Sequence, residues 1–544
     1  MVGVALGAGC NSIAGLDQLT ISATGGSGGS GGQGTGGGAG SDTDGGDSGL
    51  PPPECATNQE CTSKLSPGGT VVPAACLKPQ GKCVQLTSDD CVIGAGDYLN
   101  DDSIIIGSLF ATAPTGPNNA TNSTATTNQQ RQQGATLAIE EINMRGGIPA
   151  PATGGNSRPI VMVSCDAFAN MLRAGGHLIN DLHVPAIVGP NTSQDTIDLT
   201  TRLSAQAGTA LVSPSAVASA IVDLADNDLT WLMVPTDVQR SPLMLDQIGV
   251  LEQQIKTARS VSNVKLSIIY RNDALGVGTR VSLDPLIING RSLADPVNLQ
   301  SYVKIDPYVP TAADQSTIVS GQVAFKPDIV VLAGTAEAVD KVLVPLEAQW
   351  PSSAPKPYYI MIDSNKVTTL LDATKNNMDL RLRIRGTGVT PGAASTPILN
   401  SFNVDYQARY NILPSNASIG ASYDAAYAIA YALAATKDLP LSGANVATGL
   451  RRLAGGATAV RTGTQDMLNA FSHLGAGESI SARGTFGALA WDPKGAILGG
   501  SIEMWCIGLT GAAPPAAVYQ TSGLTYDIET TMKLGAYTQC APTQ

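Results

Sequence analysis

Cysteine is the residue type of this sequence with the clearest chemistry. Five of the nine cysteines fall in one short segment and four are spread along the chain: Cys55, Cys61, Cys76, Cys83 and Cys91, then Cys10, Cys165, Cys506 and Cys540. A zinc site would use CxxC pairs or a nearby histidine, and the segment contains neither. Disulfides formed in an oxidising compartment are therefore the better interpretation.

The odd number of cysteines in that segment requires one of them to pair outside it. Cys91 stands just before the first predicted strand and Cys165 ends the second, so we expect these two to meet. Spacing alone leaves the other cysteines of the segment as alternative partners of Cys165. Cys506 lies on a late strand and Cys540 close to the end of the chain, where a disulfide would prevent fraying.

Motifs for catalysis or metal binding are missing from the sequence. It has three histidines, and His177 and His183 are six residues apart, which does not place two ligands on one helix face. There is no GxSxG elbow and no phosphate-binding loop, and the GxG at 276–278 opens an ordinary βα turn. The sequence predicts a protein that is not an enzyme and that holds no metal or cofactor.

Charge excludes two classes of partner. The 544 residues carry a net charge of −12, and only 14% of them are charged. An acidic chain lacks the basic face that nucleic acid requires, and it offers no basic patch to an anionic lipid surface. No run of 18 apolar residues occurs, so membrane attachment would need a covalent anchor.

The N-terminal region predicts such an anchor. Residues 1–10 (MVGVALGAGC) resemble the end of a signal peptide with a bacterial lipobox, although Leu6 is one place too early. We expect Cys10 to be lipidated; the alternative is one more cysteine near a flexible end. Residues 11–50 are rich in Gly and Ser and predict a flexible tether. The cysteine-rich segment, 51–100, is too short and polar for a core and depends on its disulfides.

From Asp102 onward, short apolar β-branched runs alternate with helical stretches. This pattern predicts α/β architecture with parallel sheets. The first series has strands at Ile104–Leu109, Pro159–Val163, Ala186–Gly189 and Thr209–Val212, and helices at Asn128–Arg145, Asn170–Leu182 and Ser193–Ala207. The second has strands at Leu266–Tyr270, Asp328–Ala333 and Tyr358–Ile362, and helices at Val238–Thr257, Gly276–Ile288, Thr311–Ala324 and Ala336–Ala348.

Two consecutive series predict two lobes with a cleft between them. We expect lobe 1 to comprise 101–236 and 390–489, and lobe 2 to comprise 237–389 and 490–544. Three crossovers then lie near Pro235–Asp237, Gly388–Thr390 and Leu489–Asp492. Ligands of such sheets bind beyond the carboxyl ends of the strands, so the loops at those ends should form the site.

Several motifs in order resemble the leucine/isoleucine/valine-binding proteins of ABC importers, which have the type I periplasmic binding fold. The motifs are at 106–109 with 115–117, 134–143 with 146–148, 187–190 with Ser193, 207–208 with 212–216, 235–237, 422–427, and 484–486 with 491–495. They extend over 102–509. The resemblance implies two lobes, three crossovers and a small-molecule ligand.

The resemblance also implies the site residues. A ligand carboxylate would meet Thr192, Ser193 and the turn Ser215–Val217, and Val217 replaces a hydroxyl that the family has there. The family positions that surround the ligand ammonium correspond to Leu275, Thr335 and either Asp363 or Ser364. The aromatic groups that the family has at the first two positions are missing here. Ser193 is equally suited to capping its helix, and Ser215 to shaping its turn. At best, the sequence retains the groups for the carboxylate but not those for the ammonium of an amino acid. Free leucine, isoleucine and valine should therefore bind weakly or not at all.

The resulting hypothesis is an extracytoplasmic receptor in the periplasm or cell envelope. It would bind a small molecule, amino-acid-like or not, as a monomer attached to the membrane only through lipid, and deliver it to ABC permease subunits. The alternative is a ligand-sensing module for a signalling partner, and a remote alternative is an enzyme on the same fold. Adjacent permease and ATPase genes would favour transport, and an adjacent kinase gene would favour sensing.

Overall fold

The computed structural model describes residues 53–78, 80–112, 123–511 and 515–540. The expected signal remnant at 1–10, with Cys10, and the expected tether at 11–50 lie outside the described residues. Within the described ranges, no helix is both long and apolar enough to cross a lipid bilayer.

The cysteine-rich segment folds into a helix and a hairpin joined by two disulfides. Helix α1 (Asn58–Leu65) begins with a capping box between Thr57 and Glu60, and strands β1 (Ala74–Leu77) and β2 (Lys82–Gln85) pair antiparallel. The disulfides are Cys55–Cys76 and Cys61–Cys83. The sulfur atoms of Cys55, Cys61 and Cys83 lie within 4.8 Å of one another, but each is disulfide-bonded and offers no thiolate to a metal.

Strand β3 (Cys91–Ala95) connects this segment to the first large sheet. It pairs antiparallel with β5 (Ile160–Asp166), and Cys91 stands directly opposite Cys165 in the register. The two form a disulfide, which confirms the predicted pair. Arg173 on a lobe 1 helix also binds Asp90 with two hydrogen bonds of 2.6 and 2.7 Å. The segment is therefore a covalent extension of lobe 1.

Lobe 1 is built on a six-stranded sheet in the order β3-β5-β4-β6-β7-β8, parallel except for β3. Its other strands are β4 (Ile104–Phe110), β6 (Ala186–Val188), β7 (Ala210–Ser213) and β8 (Thr230–Leu232). Its helices up to this point are α2 (Ser123–Met144), α3 (Met171–Gly176), which continues as a π-turn at His177–Asp181, α4 (Ser193–Leu199), with a π-turn at Thr200–Ser204, and α5 (Ala205–Ala207); a 3-10 turn follows at Ser219–Asp223.

Lobe 2 begins with the long helix α6 (Asp237–Arg259) and has an eight-stranded sheet, whose parallel part runs β12-β9-β13-β14-β15. The strands are β9 (Leu266–Arg271), β12 (Val303–Tyr308), β13 (Ile329–Ala333), β14 (Tyr358–Met361) and β15 (Ile384–Thr390). The helices are α7 (Ala274–Ser282), α8 (Ser316–Phe325), α9 (Ala336–Ala338) with a π-turn at Val339–Leu343, α10 (Val344–Gln349), α11 (Thr368–Lys375) and α12 (Met378–Arg383), with further turns at Asn298–Tyr302 and Asp363–Asn365.

Two features of lobe 2 differ from the sequence prediction. The helix expected over Gly276–Ile288 ends at Ser282, because Pro285 cannot continue it. The residues that follow form the hairpin β10 (Ile287–Ile288) and β11 (Arg291–Ser292) around a left-handed turn at Asn289 and Gly290. Strand β12 was not predicted. It is an edge strand that contains Pro307 and charged residues, so it lacks the continuous apolar pattern of a buried strand.

The chain then returns to lobe 1 and adds helices to its sheet. These are α13 (Thr396–Tyr410) after a 3-10 turn at Ala393–Ser395, α14 (Ser418–Ala435), α15 (Gly443–Arg451) and α16 (Met467–Gly475), with a small parallel pair β16 (Thr458–Arg461) and β17 (Ile480–Arg483). Helix α14 is almost entirely buried against α2. Tyr423 and Tyr427 each donate a 2.6 Å hydrogen bond to the buried Glu141, which fixes the two helices in register.

The third crossover comes later than the predicted Leu489–Asp492. Trp491 remains in lobe 1, where its indole packs edge-on against Trp231 at 5.3 Å and donates a 2.7 Å hydrogen bond to Leu232 O. The chain enters lobe 2 only after Gly500, where β18 (Ser501–Leu509), β19 (Ala517–Asp527) and β20 (Met532–Leu534) extend the sheet antiparallel. The expected return of the C-terminal segment to lobe 2 is confirmed, as is the Cys506–Cys540 disulfide.

Candidate functional site

Ser193 begins helix α4 beyond the carboxyl end of β6, as the sequence predicts for a ligand-facing loop. Its Oγ is buried and accepts hydrogen bonds of 3.1 Å from the N–H groups of Val217 and Ala218. Both lone pairs of the hydroxyl are used in this way, so only its proton can be offered to a ligand. The neighbouring Thr192 caps the helix by accepting from Asp195 N at 3.1 Å.

Serine side chains form hydrogen bonds that fix the turn after β7. Ser215 donates a 2.9 Å hydrogen bond to Asn191 O, which links the two loops. Ala216 N donates to Ser213 Oγ at 3.3 Å, and Ser193 holds the next two amides. Three successive N–H groups that could cradle a carboxylate therefore all have side-chain partners.

Helix α7 of lobe 2 closes directly on this turn. Ala274 N donates to Gln194 Oε1 of lobe 1 at 3.3 Å, and the Ala274 side chain packs with Ala216 and Ala218. Leu275 packs against the hydrophobic cores of both lobes. At this corner the two lobes are therefore in contact through the methyl group of Ala274 and the aliphatic side chain of Leu275.

The other lobe 2 positions belong to a polar network of their own. Thr335 donates to Glu337, and Arg271 donates to both residues at 3.2 Å. Ser364 donates a 2.8 Å hydrogen bond to Gly334 O, which brings the loops after β13 and β14 together. Thr335 and Ser364 thus lie near each other at the carboxyl edge of the lobe 2 sheet.

Asp363 is already paired with an arginine of its own lobe. Arg240, fully buried on α6, donates to Asp363 Oδ1 at 2.9 Å. Asp363 also accepts from Ser364 N at 3.1 Å and from Val389 N at 3.4 Å. A carboxylate with these partners has little capacity left for a ligand ammonium.

Arg240 also approaches Asp237, the first residue of α6, at the first crossover. Its Nη2 lies 3.8 Å from Asp237 Oδ1. Among the described residues, neither Asp237 carboxylate oxygen accepts a hydrogen bond. Burial raises the pKa of Asp237 to about 7, Arg240 opposes that rise, and Asp363 adds to it. Gly278 of α7 is required here, because a Cβ at that position would lie 2.2 Å from Asp237 Oδ2.

Arg131 lies at the carboxyl edge of the lobe 1 sheet, because Asn128, one turn before it, donates a 2.9 Å hydrogen bond to Ala111 O just after β4. It lies in the first half of α2, where it donates to Asn128 Oδ1 at 2.7 Å and to Ser418 Oγ at 3.2 Å. Its Nε is buried and has no hydrogen-bond partner within the described ranges. Desolvation lowers the pKa of the guanidinium to about 10, and the charge of Asp363 across the cleft opposes this shift.

Sequence reasoning missed Arg131, although a signal was present. It is the only charged residue between Ser103 and Ile139. A single charged residue in so long an uncharged stretch, next to the helix motif at 134–143, indicates a candidate functional residue.

A cavity of about 650 Å³ lies away from the cleft, beside β16 and β17 of lobe 1. Its charged groups are already paired: Arg461 with Asp466, and Arg483 with Glu529 of lobe 2. It therefore offers no free charge to a ligand.

Comparison with known proteins agrees with this two-lobed architecture. The profile of a family described as the receptor family ligand binding region matches residues 130–484. No curated protein matches the sequence.

Three solved structures illustrate the likeness. The substrate-binding protein LivJ from Streptococcus pneumoniae, in complex with isoleucine, is 16% identical, with a TM-score of 0.50 over 77% of this chain and 99% of that one. The leucine-binding protein LivK from Thermotoga maritima is 13% identical, with a TM-score of 0.52 over 77% and 97%. A type 1 periplasmic binding protein from Bordetella pertussis is 16% identical, with a TM-score of 0.53 over 77% and 99%. The structural similarity establishes the type I periplasmic binding fold, and identities this low establish the fold alone.

Proposed function

This chain belongs to the family described as the receptor family ligand binding region, and we propose that it captures a small molecule between its two lobes and delivers it to an ABC importer. The observation that carries the proposal is the meeting of the two lobes at the strand-end loops, where Ala274 N of lobe 2 donates to Gln194 Oε1 of lobe 1 and Leu275 packs against both cores. The similar solved structures are amino-acid-binding proteins of such importers, which favours transport over sensing. No catalytic role is assigned.

The three crossovers support a hinge. Gly392 N donates to Phe486 O at 2.8 Å, which joins the segment just after the second crossover to the part of lobe 1 that precedes the third. Asp237 N donates to Val217 O of lobe 1 at 2.8 Å at the first crossover. Rotation about these short segments would open the cleft while both sheets remain intact. Binding should then close it.

Small-angle scattering with a metabolite library tests this function. We expect a ligand that raises the melting temperature to reduce the radius of gyration, because closure brings the lobes together. A matched sample with a molecule that does not bind controls for buffer effects. If a ligand binds tightly and the scattering profile stays the same, capture by closure is wrong; if no small molecule binds, the function itself is wrong.

The attachment to the cell envelope is a proposal that depends on sequence alone. Lipid on Cys10 and a tether over 11–50 would hold the receptor near its permease, and a monomer suffices for delivery. Mass spectrometry of the protein recovered from membranes, expressed with its native upstream region, tests the anchor. An unmodified Cys10 would contradict it.

The site residues favour a ligand other than leucine, isoleucine or valine. The amides of Ala216, Val217 and Ala218 have partners, Leu275 and Thr335 lack rings, and Arg240 engages the carboxylate of Asp363. An ammonium buried in a closed cleft without a free acid is costly. Calorimetry should show weak or no binding of the three amino acids, and micromolar binding of any of them would overturn this expectation.

A further inference from the structure

We infer that the cleft recognises a small organic carboxylate that has no ammonium group, and that Arg131 is the residue that binds the carboxylate. This inference rests on the proposed function and names the class of its ligand.

The first step concerns the charge of Arg131. Its two hydrogen-bond partners, Asn128 Oδ1 and Ser418 Oγ, are neutral, and no carboxylate of the described ranges forms an ion pair with it. The Nε of Arg131 is buried without a hydrogen-bond partner among the described residues, which is unfavourable until a ligand anion accepts from it. The two neutral contacts orient the side chain and leave most of its five N–H donors for a ligand.

The second step concerns the acids that could neutralise Arg131 or hold a ligand ammonium. Asp363 is bound by Arg240, and Glu503, behind it on β18, is bound by Lys366 at 2.7 Å. Asp237 lies beneath α7, where it is fully buried. The described part of the cleft therefore has an unpaired cation on lobe 1 and no unpaired acid opposite it.

The third step concerns the body of the ligand. Leu275 of lobe 2 packs against the cores of both lobes, and Val389 at the second crossover packs against the lobe 1 core as well. Val217 of lobe 1, in the position of the missing hydroxyl, belongs to the core against which Leu275 and Val389 pack. These walls suit an apolar group, so the ligand is a carboxylate on an aliphatic or aromatic body.

Matched acids and amides test the inference without any mutation. We would titrate the protein with 4-methylpentanoate, 3-phenylpropanoate and benzoate, with the primary amide of each, and with leucine, following binding by calorimetry and thermal shift. At least one carboxylate should bind about 10- to 100-fold more tightly than its amide, the gain expected of a charge-assisted contact. Leucine should bind more weakly than 4-methylpentanoate, which is leucine without its amino group.

Substitutions then locate the contact. Arg131→Gln should lose about 10- to 100-fold of carboxylate affinity, and Arg131→Lys, which keeps the charge, should retain part of it. Arg145→Gln, at an exposed position directly after the C-terminal end of the same helix, is the matched control and should bind as the wild type does. The acid–amide comparison decides the question even if Arg131→Gln does not fold.

The outcomes separate the inference from the proposed function. Equal binding of acid and amide, unchanged affinity in Arg131→Gln, or no binding by any of the carboxylates overturns the inference. If a neutral or zwitterionic metabolite binds and contracts the scattering envelope, the function stands while the ligand class is wrong.

Discussion

Asp237 at the first crossover gives the stability of this protein a dependence on pH that one substitution should remove. The carboxyl group is fully buried, and its pKa is raised from 3.8 to about 7. Below about pH 4 the group is neutral in both the folded and the unfolded chain. Between about pH 4 and 7 the folded protein retains a proton that the unfolded chain loses, so the free energy of unfolding falls as pH rises.

The size of this effect follows from the shift. Each pKa unit corresponds to about 1.4 kcal/mol, so a rise from 3.8 to about 7 amounts to about 4 kcal/mol. This loss is complete above the folded-state pKa. Asp237→Asn has no titrating group at this position, so the difference in unfolding free energy between variant and wild type should move by about 4 kcal/mol in favour of the variant from pH 4 to pH 8.

Urea denaturation at pH 4, 5, 6, 7 and 8 measures the difference directly. Asp246→Asn is the matched control, because Asp246 lies on the same helix and pairs with Lys533 at the surface. The free energy of unfolding of Asp246→Asn should change with pH as that of the wild type does. If the free energy of unfolding of Asp237→Asn also changed with pH as that of the wild type does, the Asp237 carboxyl would be solvated or paired in solution, and its burial without a partner beside Arg240 would be wrong.

Further substitutions test other contacts by urea denaturation. Asp424→Ala removes a buried acceptor that binds both the N–H and the hydroxyl of Thr485 at 2.7 Å, and should cost about 3 kcal/mol or more; an unchanged midpoint would contradict this. Ser193→Ala leaves two buried amides unpaired and should cost about 1–3 kcal/mol even without ligand, so stability unaffected by the change would mean that the hydroxyl does not serve them. Cys540→Ser breaks the bond to Cys506 across 34 residues and should cost about 3–4 kcal/mol, whereas equal stability under oxidising conditions would show that the bond does not form.

The fold could be predicted from the sequence because its signals are local. Buried parallel strands such as Leu266–Arg271 are continuous apolar runs, and helices such as α6 begin and end at recognisable caps. Strand β12 escaped prediction because an edge strand needs no such run. The late third crossover escaped it because Trp491 is held by Trp231 and Leu232, more than 250 residues earlier in the chain.

The site was less accessible from the sequence for the same reason. Motifs place Ser193 and Asp363 near a cleft, but they do not reveal that backbone amides and Arg240 already occupy these groups. The importance of Arg131 depends on what surrounds it in space, on two helices of lobe 1 and on Asp363 of lobe 2. Charge balance within a cleft is a property of the folded chain.

The covalent attachment of the cysteine-rich segment to lobe 1 has a mechanical consequence. A pulling force applied at Pro53 passes through Cys55–Cys76 and Cys61–Cys83 and then through Cys91–Cys165 into β5, next to the edge of the lobe 1 sheet. The β3–β5 ladder shares that load, since its hydrogen bonds run beside the last disulfide. None of the three crossovers lies on this path. Tension from the N-terminal side therefore acts on lobe 1 alone. Lobe 2 can rotate about the crossovers without opposing that tension.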